Sequence, residues 1–125
     1  MKMIIAIALG GAAGAVSRHF VSHRVAEWVG HGFPAGTLAV NVIGSFLMGL
    51  IVTLLAQKLQ LSQEARAFLT VGLLGGFTTF STFSMETVLL IERHTYGLAA
   101  AYVLASLVLA VGGLFAGMWC GRAFL

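Results

Sequence analysis

The sequence predicts an all-α integral membrane protein with four transmembrane helices, the third broken near its middle. Three observations carry that prediction. Of 125 residues, 59% are hydrophobic and only 9% charged, with a mean hydropathy of +1.00 and no aspartate, whereas a soluble domain carries about 25% charged residues. The apolar residues gather into four stretches, at about 1–21, 35–56, 65–91 and 96–125, each long enough to cross a hydrocarbon core of roughly 30 Å. Finally, the third stretch has at its centre GLLGGFTTFSTFSMET, Gly72 to Thr87, a poor helix former. The connections are short, which suits one four-helix transmembrane unit over residues 1–125 with no separate soluble domain.

The first span begins like a secretory signal, with Lys2, an apolar run to Leu9 and small residues at Ala13 and Ala15. Because the apolar run continues through Val16 and three more hydrophobic segments follow, an uncleaved helix is expected. Gly10 and Gly14 are four apart, a spacing that lets a neighbouring helix backbone approach closely. Arg18 either snorkels to the interface or lines an aqueous entrance that attracts anions. The only proline, Pro34, stands where the second helix should start.

In the second span, Thr37, Asn41 and Ser45 recur every four residues and form one polar stripe, with Gly44 and Gly49 beside it. An amide in hydrocarbon is costly unless bonded, so Asn41 must face protein or a water-filled path. In the third, each of Gly75 and Gly76 costs about 1 kcal/mol relative to alanine, and Thr78 and Thr79 offer the backbone alternative partners. The eight residues from Phe77 to Ser84 hold five hydroxyls and three phenylalanines, more than packing alone requires. Broken backbone at membrane depth is tolerated where protein buries it or water reaches it, so this break marks an interior site. A phenylalanine edge carries partial positive charge, and rings turned edge-on can line a route for a small anion. Glu86 is the only carboxylate placed within the membrane, and it reads as a partner for a helix end or nearby hydroxyls in preference to a proton carrier. In the fourth span Tyr102, Ser106 and Ala110 share a face with Gly113, Gly117 and Gly121, one half able to hydrogen-bond and the other to pack tightly.

Several classes are disfavoured by the same residues. Cys120 is the single cysteine and forms no internal disulfide. The pI of about 9.6 comes from scattered basic residues at segment ends, which read as interfacial anchors and not as a nucleic-acid patch. His19, His23, His31 and His94 sit at segment ends without ligand spacing, and no nucleophile has a paired base, so an enzyme is not expected.

Charge placement bears on assembly. With four spans, both termini share a side with the second connection; that side holds Lys2, Lys58, Arg66 and Arg122, and the other holds Arg18, Arg24 and Arg93. Orientation follows Lys/Arg asymmetry, and a bias of one charge expresses almost no preference. Insertion both ways up is the consequence, and an antiparallel homodimer would bring the two forms together. Pairing would also help four short helices enclose a hydrophilic path.

Taken together, GGAAGAVSRHF, GTLAVNVIGSFLMG and GLLGGFTTFSTFSMET, in this order in a chain of this size, resemble the CrcB/Fluc family of bacterial fluoride channels, and the likeness covers all four spans. The resemblance implies a multi-pass protein of the bacterial inner membrane, a dual-topology dimer with two antiparallel pores that lets cytoplasmic fluoride escape passively, and a structural, untransported sodium ion at the dimer centre. It implies that Asn41, Phe80 and Phe83 contact fluoride, that Ser81 and Thr82 form part of a hydroxyl track, and that Tyr102 and Ser106 supply polar positions on the last helix. Arg18 matches the first-helix arginine at the pore entrance, and the backbone carbonyls of Gly75 and Thr78 would hold the sodium. Two departures are His19, where many members have an aromatic, and Ala110, which lacks a hydroxyl that some carry. On this reading a side chain at Gly75 excludes the required backbone conformation, and Asn41→Asp suppresses anion flux far more than it disturbs folding. The rival classes are a small proton-coupled multidrug exporter, which needs a membrane-embedded carboxylate typically in its first span, and a noncatalytic scaffold subunit, for which buried polar stripes are unnecessary.

Overall fold

The computed structural model describes residues 1–57 and 60–124, and these contain helices and no strand. In chain order they are α1 (Lys2–Val29), α2 (Ala35–Gln57), α3 (Gln63–Ala67), a π-helical segment (Phe68–Leu74), α4 (Gly75–Phe77), α5 (Phe80–Glu92) and α6 (Tyr96–Phe124). Four units are long and apolar enough to cross a membrane: α1, α2, the composite Gln63–Glu92, and α6. Lys58 of the charge count, Leu59 of the second connection and Leu125 of the fourth span lie outside the described residues.

The first helix runs well past position 21. Hydropathy falls where Arg18, His19, His23 and Arg24 begin, but no glycine or proline interrupts the chain between Gly14 and Gly30, so the helix continues until Gly30 adopts φ 100° and donates its N–H to the Ala26 carbonyl at 2.8 Å. At 1.5 Å per residue α1 is about 42 Å long, which exceeds a hydrocarbon core of roughly 30 Å. Its last, charged turns can therefore stand in the interface. Pro34 occupies the expected place, accepting on its carbonyl from Leu38 at 3.3 Å as α2 starts.

The break in the third span falls two residues beyond the glycine pair. Gly75 is an ordinary right-handed helical residue (φ −62°, ψ −38°), and the chain becomes extended at Thr78 (φ −90°, ψ 158°) and Thr79 (φ −152°, ψ 121°). The glycines serve packing. A Cβ on Gly76 would stand 2.7 Å from the Gly11 carbonyl oxygen, and one on Gly72 would stand 2.9 Å from the Gly10 Cα. The threonines supply the local hydrogen bonds that let the helix stop: Thr78 returns both N–H (3.1 Å) and Oγ1 (3.0 Å) to the Leu74 carbonyl, and Thr79 Oγ1 accepts from Thr82 N at 3.2 Å, capping α5.

Small residues set the remaining contacts. α2 and α6 form the most extensive pair, because a Cβ at Gly49 would overlap the Leu114 carbonyl and one at Gly117 the Phe46 carbonyl. α1 lies against the π-helical segment and α4 through Gly10 and Gly14, as their spacing predicts. α5 ends in a Schellman motif, with Thr95 N–H on the Leu90 carbonyl (3.0 Å), His94 N–H on that of Ile91 (2.9 Å), and His94 left-handed at φ 60°.

Candidate functional site

The site is built around a clamp across the helix break. Asn41, half-buried on α2, donates from Nδ2 to the Thr79 carbonyl at 3.0 Å and accepts on Oδ1 from the Thr79 N–H at 2.8 Å. This pairing fixes which end of the amide is nitrogen. It also means that the Thr79 N–H is not available to the Gly75 carbonyl, which a continuous helix would have paired with it. Gly44 makes room for the break, since a Cβ there would overlap Thr78 Cγ2. An amide has two N–H donors, so Asn41 keeps one for another partner.

One cavity is lined by both clamp residues, and a second lies a turn away, at Thr37 and Thr82. The smaller, of about 290 Å³, is lined by Asn41, Ser45, Thr78, Thr79, Phe80, Phe83 and Ser106, with aliphatic side chains of α2 and α6 completing it. Ser106 is buried, and among the described residues its Oγ has no hydrogen-bond partner; an unpaired buried hydroxyl costs about 1–3 kcal/mol. The larger cavity, of about 380 Å³, is lined by His23, His31, Thr37, Thr82, Glu86 and Arg93 among others. The polar stripe on α2 passes from one to the other: Thr37 faces the larger, Asn41 and Ser45 the smaller.

Aromatic rings join the same two spaces. Phe80 and Phe83 have centroids 5.4 Å apart, Phe83 and Tyr102 5.2 Å, and Tyr102 and Phe33 5.6 Å in an edge-to-face contact. Tyr102 is fully buried and donates its hydroxyl to Glu86 Oε1 at 3.2 Å. It thus touches residues of both cavities while lining neither. Glu86 has a phenol for its partner, as expected for a carboxylate held by a nearby hydroxyl.

The structure brings Asn41, Thr78, Phe80, Phe83 and Ser106 to one cavity and Thr82 to the other. Ser81 is exposed, 3.3 Å from Thr79 Oγ1, and lines neither; Arg18 is half-exposed on α1 and also lines neither. Gly75 lies in α4 just before the break. The residue that sequence reasoning undervalued is Thr79, which caps α5, holds Asn41 and bonds Thr82 Oγ1 at 3.1 Å. A threonine three residues before another polar residue at a helix start is the signal that was there to find. The clamp also corrects the expectation for Asn41→Asp: a carboxylate cannot donate to the Thr79 carbonyl, so that change strikes the fold as well as the path. Gly75 is corrected likewise, since its helical φ and ψ are open to any residue, and the nearest atom to an added Cβ is Thr70 O at 3.4 Å.

Comparison with known proteins agrees with this architecture. Residues 5–118 match the family described as CrcB-like protein, Camphor Resistance (CrcB). The chain is 54% identical over 118 residues to a protein of Rhodospirillum centenum, covering 94% of each chain, and 52% identical over 122 residues to one of Agrobacterium fabrum, covering 98% of each. It is 48% identical over 125 residues, the whole of both chains, to one of Chelativorans sp.. Each of these relatives is named a fluoride-specific ion channel FluC. With four membrane-capable helices and a family match across nearly its whole length, this multi-pass membrane protein belongs to the CrcB/Fluc family.

Proposed function

We propose that the protein is a passive fluoride channel, not an enzyme, and that the anion passes along Asn41, Phe80, Phe83 and Ser106. The observation that carries the reading is the donor set of the smaller cavity: a spare Asn41 N–H and an unpartnered, buried Ser106 hydroxyl beside two phenylalanine rings. Neutral donors and ring edges replace part of a small anion's hydration without a buried cation to trap it, and conduction requires that the ion leave again. Thr82 and Tyr102 extend the polar route toward the larger cavity, and Arg18 and Ser81 belong to its approaches. Relatives about half identical and named fluoride-specific channels supply the identity of the anion.

The working unit is an antiparallel homodimer in the bacterial inner membrane, exporting cytoplasmic fluoride through two pores. Phe80 is 76% exposed in the single chain, and Ser81 and Ser84 are exposed beside it. Hydroxyls and an ion path are poorly suited to face lipid, and a second copy would cover them. Among the described residues no cluster of three or more His, Cys, Asp or Glu side chains offers a cation site. Backbone oxygen at the break fits a hard cation, so the carbonyls of Gly75 and Thr78 would hold a structural sodium ion. Its charge would tie the two broken helices together without being transported.

The proton-coupled exporter reading lacks its carboxylate. Glu27 is the only acidic residue of α1, and it is exposed near the helix end, 3.9 Å from Arg24. Efflux of fluoride from liposomes containing the purified protein, with chloride as the control anion, tests the proposal. A folded, purified dimer that releases neither anion, or chloride as fast as fluoride, overturns it.

A further inference from the structure

We propose that His19 and His23 form a chelating site for a divalent transition-metal ion, such as Ni²⁺, Cu²⁺ or Zn²⁺, on the exposed face of α1. The two residues are one turn apart on a single helix, both exposed, with ring centroids 5.2 Å apart and planes inclined by 31°. The expectation that the histidines sit at segment ends without ligand spacing is corrected here, because α1 runs on through Val29: imidazoles at i and i+4 of this one helix project from the same face, and the helix holds them there without the ordering cost a loop would carry. Imidazole nitrogen is a favoured ligand for all three metals. Neither ring has a hydrogen-bond partner within the protein among the described residues; their ring neighbours are each other and, for His19, Phe20, in a T-shaped arrangement with centroids 5.7 Å apart. Water completes the coordination.

The nearby charges do not prevent this. Arg24 lies 3.9 Å from Glu27, whose carboxylate offsets part of its charge, and Arg18, beside His19 in sequence, projects about 100° away around the helix. Repulsion from exposed arginines is weakened by water and salt. His23 also lines the larger cavity, so a bound dication would stand at that cavity's rim. The proposal does not rest on the anion-path reading, because its readout is metal binding alone.

Calorimetric titration of the tag-free, detergent-solubilised protein with Ni²⁺, Cu²⁺, Zn²⁺ and Mg²⁺ separately is the test. The expected result is one site per chain, tightest for Cu²⁺ and absent for Mg²⁺, with His19→Gln and His23→Gln each weakening binding by about tenfold or more. Thermal unfolding without metal checks that each variant is folded, and Ni²⁺ should raise the melting temperature of the parent and not of the variants. Unchanged affinity in either variant, equal loss in His31→Gln or His94→Gln, comparable Mg²⁺ binding, or no saturable site in the parent overturns the assignment.

Discussion

Asn41 and Thr79 share two hydrogen bonds across the helix break, one in each direction, at 3.0 and 2.8 Å. A single α2 side chain thus satisfies both backbone groups of an extended residue where neighbouring helix turns cannot. Asn41 is therefore a structural clamp, and on the proposed path it is an ion donor as well. Asn41→Ala should lower stability by about 1–3 kcal/mol through the unsatisfied backbone, and Asn41→Asp by at least as much, with fluoride flux per folded dimer down tenfold or more, about 1.4 kcal/mol of barrier. Thermal unfolding and liposome efflux, measured on the same preparations, separate the two effects. An aspartate variant that melts like the parent would remove the clamp.

Phe80 and Phe83 should divide along similar lines. Phe80 is largely exposed in one chain, while Phe83 packs between Phe80 and the buried Tyr102. Isoleucine keeps the apolar character and loses the ring quadrupole. Phe83→Ile should cost about 1 kcal/mol of stability and Phe80→Ile less, yet both should reduce fluoride efflux normalised to assembled dimer. Near-normal flux in both variants would take the rings out of the path.

The α2–α6 contact gives a packing prediction independent of transport. A Cβ at Gly117 would overlap the Phe46 carbonyl, whereas one at Gly112 meets nothing within 4 Å. Gly117→Ala should destabilise by about 1–3 kcal/mol or more as the helices part. Gly112→Ala should be neutral or stabilising by up to about 1 kcal/mol, since alanine is the better helix former. Equal melting temperatures for the two would contradict the close approach.

Sodium should respond to the backbone and not to side chains at the break. Gly75→Ala places its Cβ no nearer than 3.4 Å to another residue's atom, while Gly76→Ala drives one to 2.7 Å from the Gly11 carbonyl. The first should keep any stabilisation gained on exchanging K⁺ for Na⁺, and the second should lose it together with the α1 contact. Thr78→Val retains the carbonyl but loses the Oγ1 bond to Leu74, so it should keep the sodium response at some cost in stability. Loss of the response in Thr78→Val alone would put the ligand on the hydroxyl.

Orientation is testable without purification. The Lys/Arg bias between the two sides is one residue in the sequence, so reporters active on opposite membrane faces, fused to the C-terminus, should both give signal. A single dominant orientation would contradict dual topology.

What the sequence by itself determined is the set of properties that depend on composition and short spacing. Four apolar stretches dictate four crossings because unpaired backbone cannot lie in hydrocarbon. Gly10, Gly14, Gly49 and Gly117 announce close helix contacts because only a missing side chain permits them, and the Thr37, Asn41 and Ser45 spacing puts three polar groups on one face of α2. Tertiary structure decided where the broken span actually breaks. Gly75 and Gly76 look like the weak point, but α1 packs against the neighbouring turns and keeps them helical, and the extended residues are Thr78 and Thr79, whose backbone Asn41 satisfies from 38 residues away. The same holds for the pairing of Tyr102 with Glu86 and the division of the polar residues between two cavities. Local propensity carries no information about a hydrogen bond supplied by another helix, and that bond is what chose the position of the site.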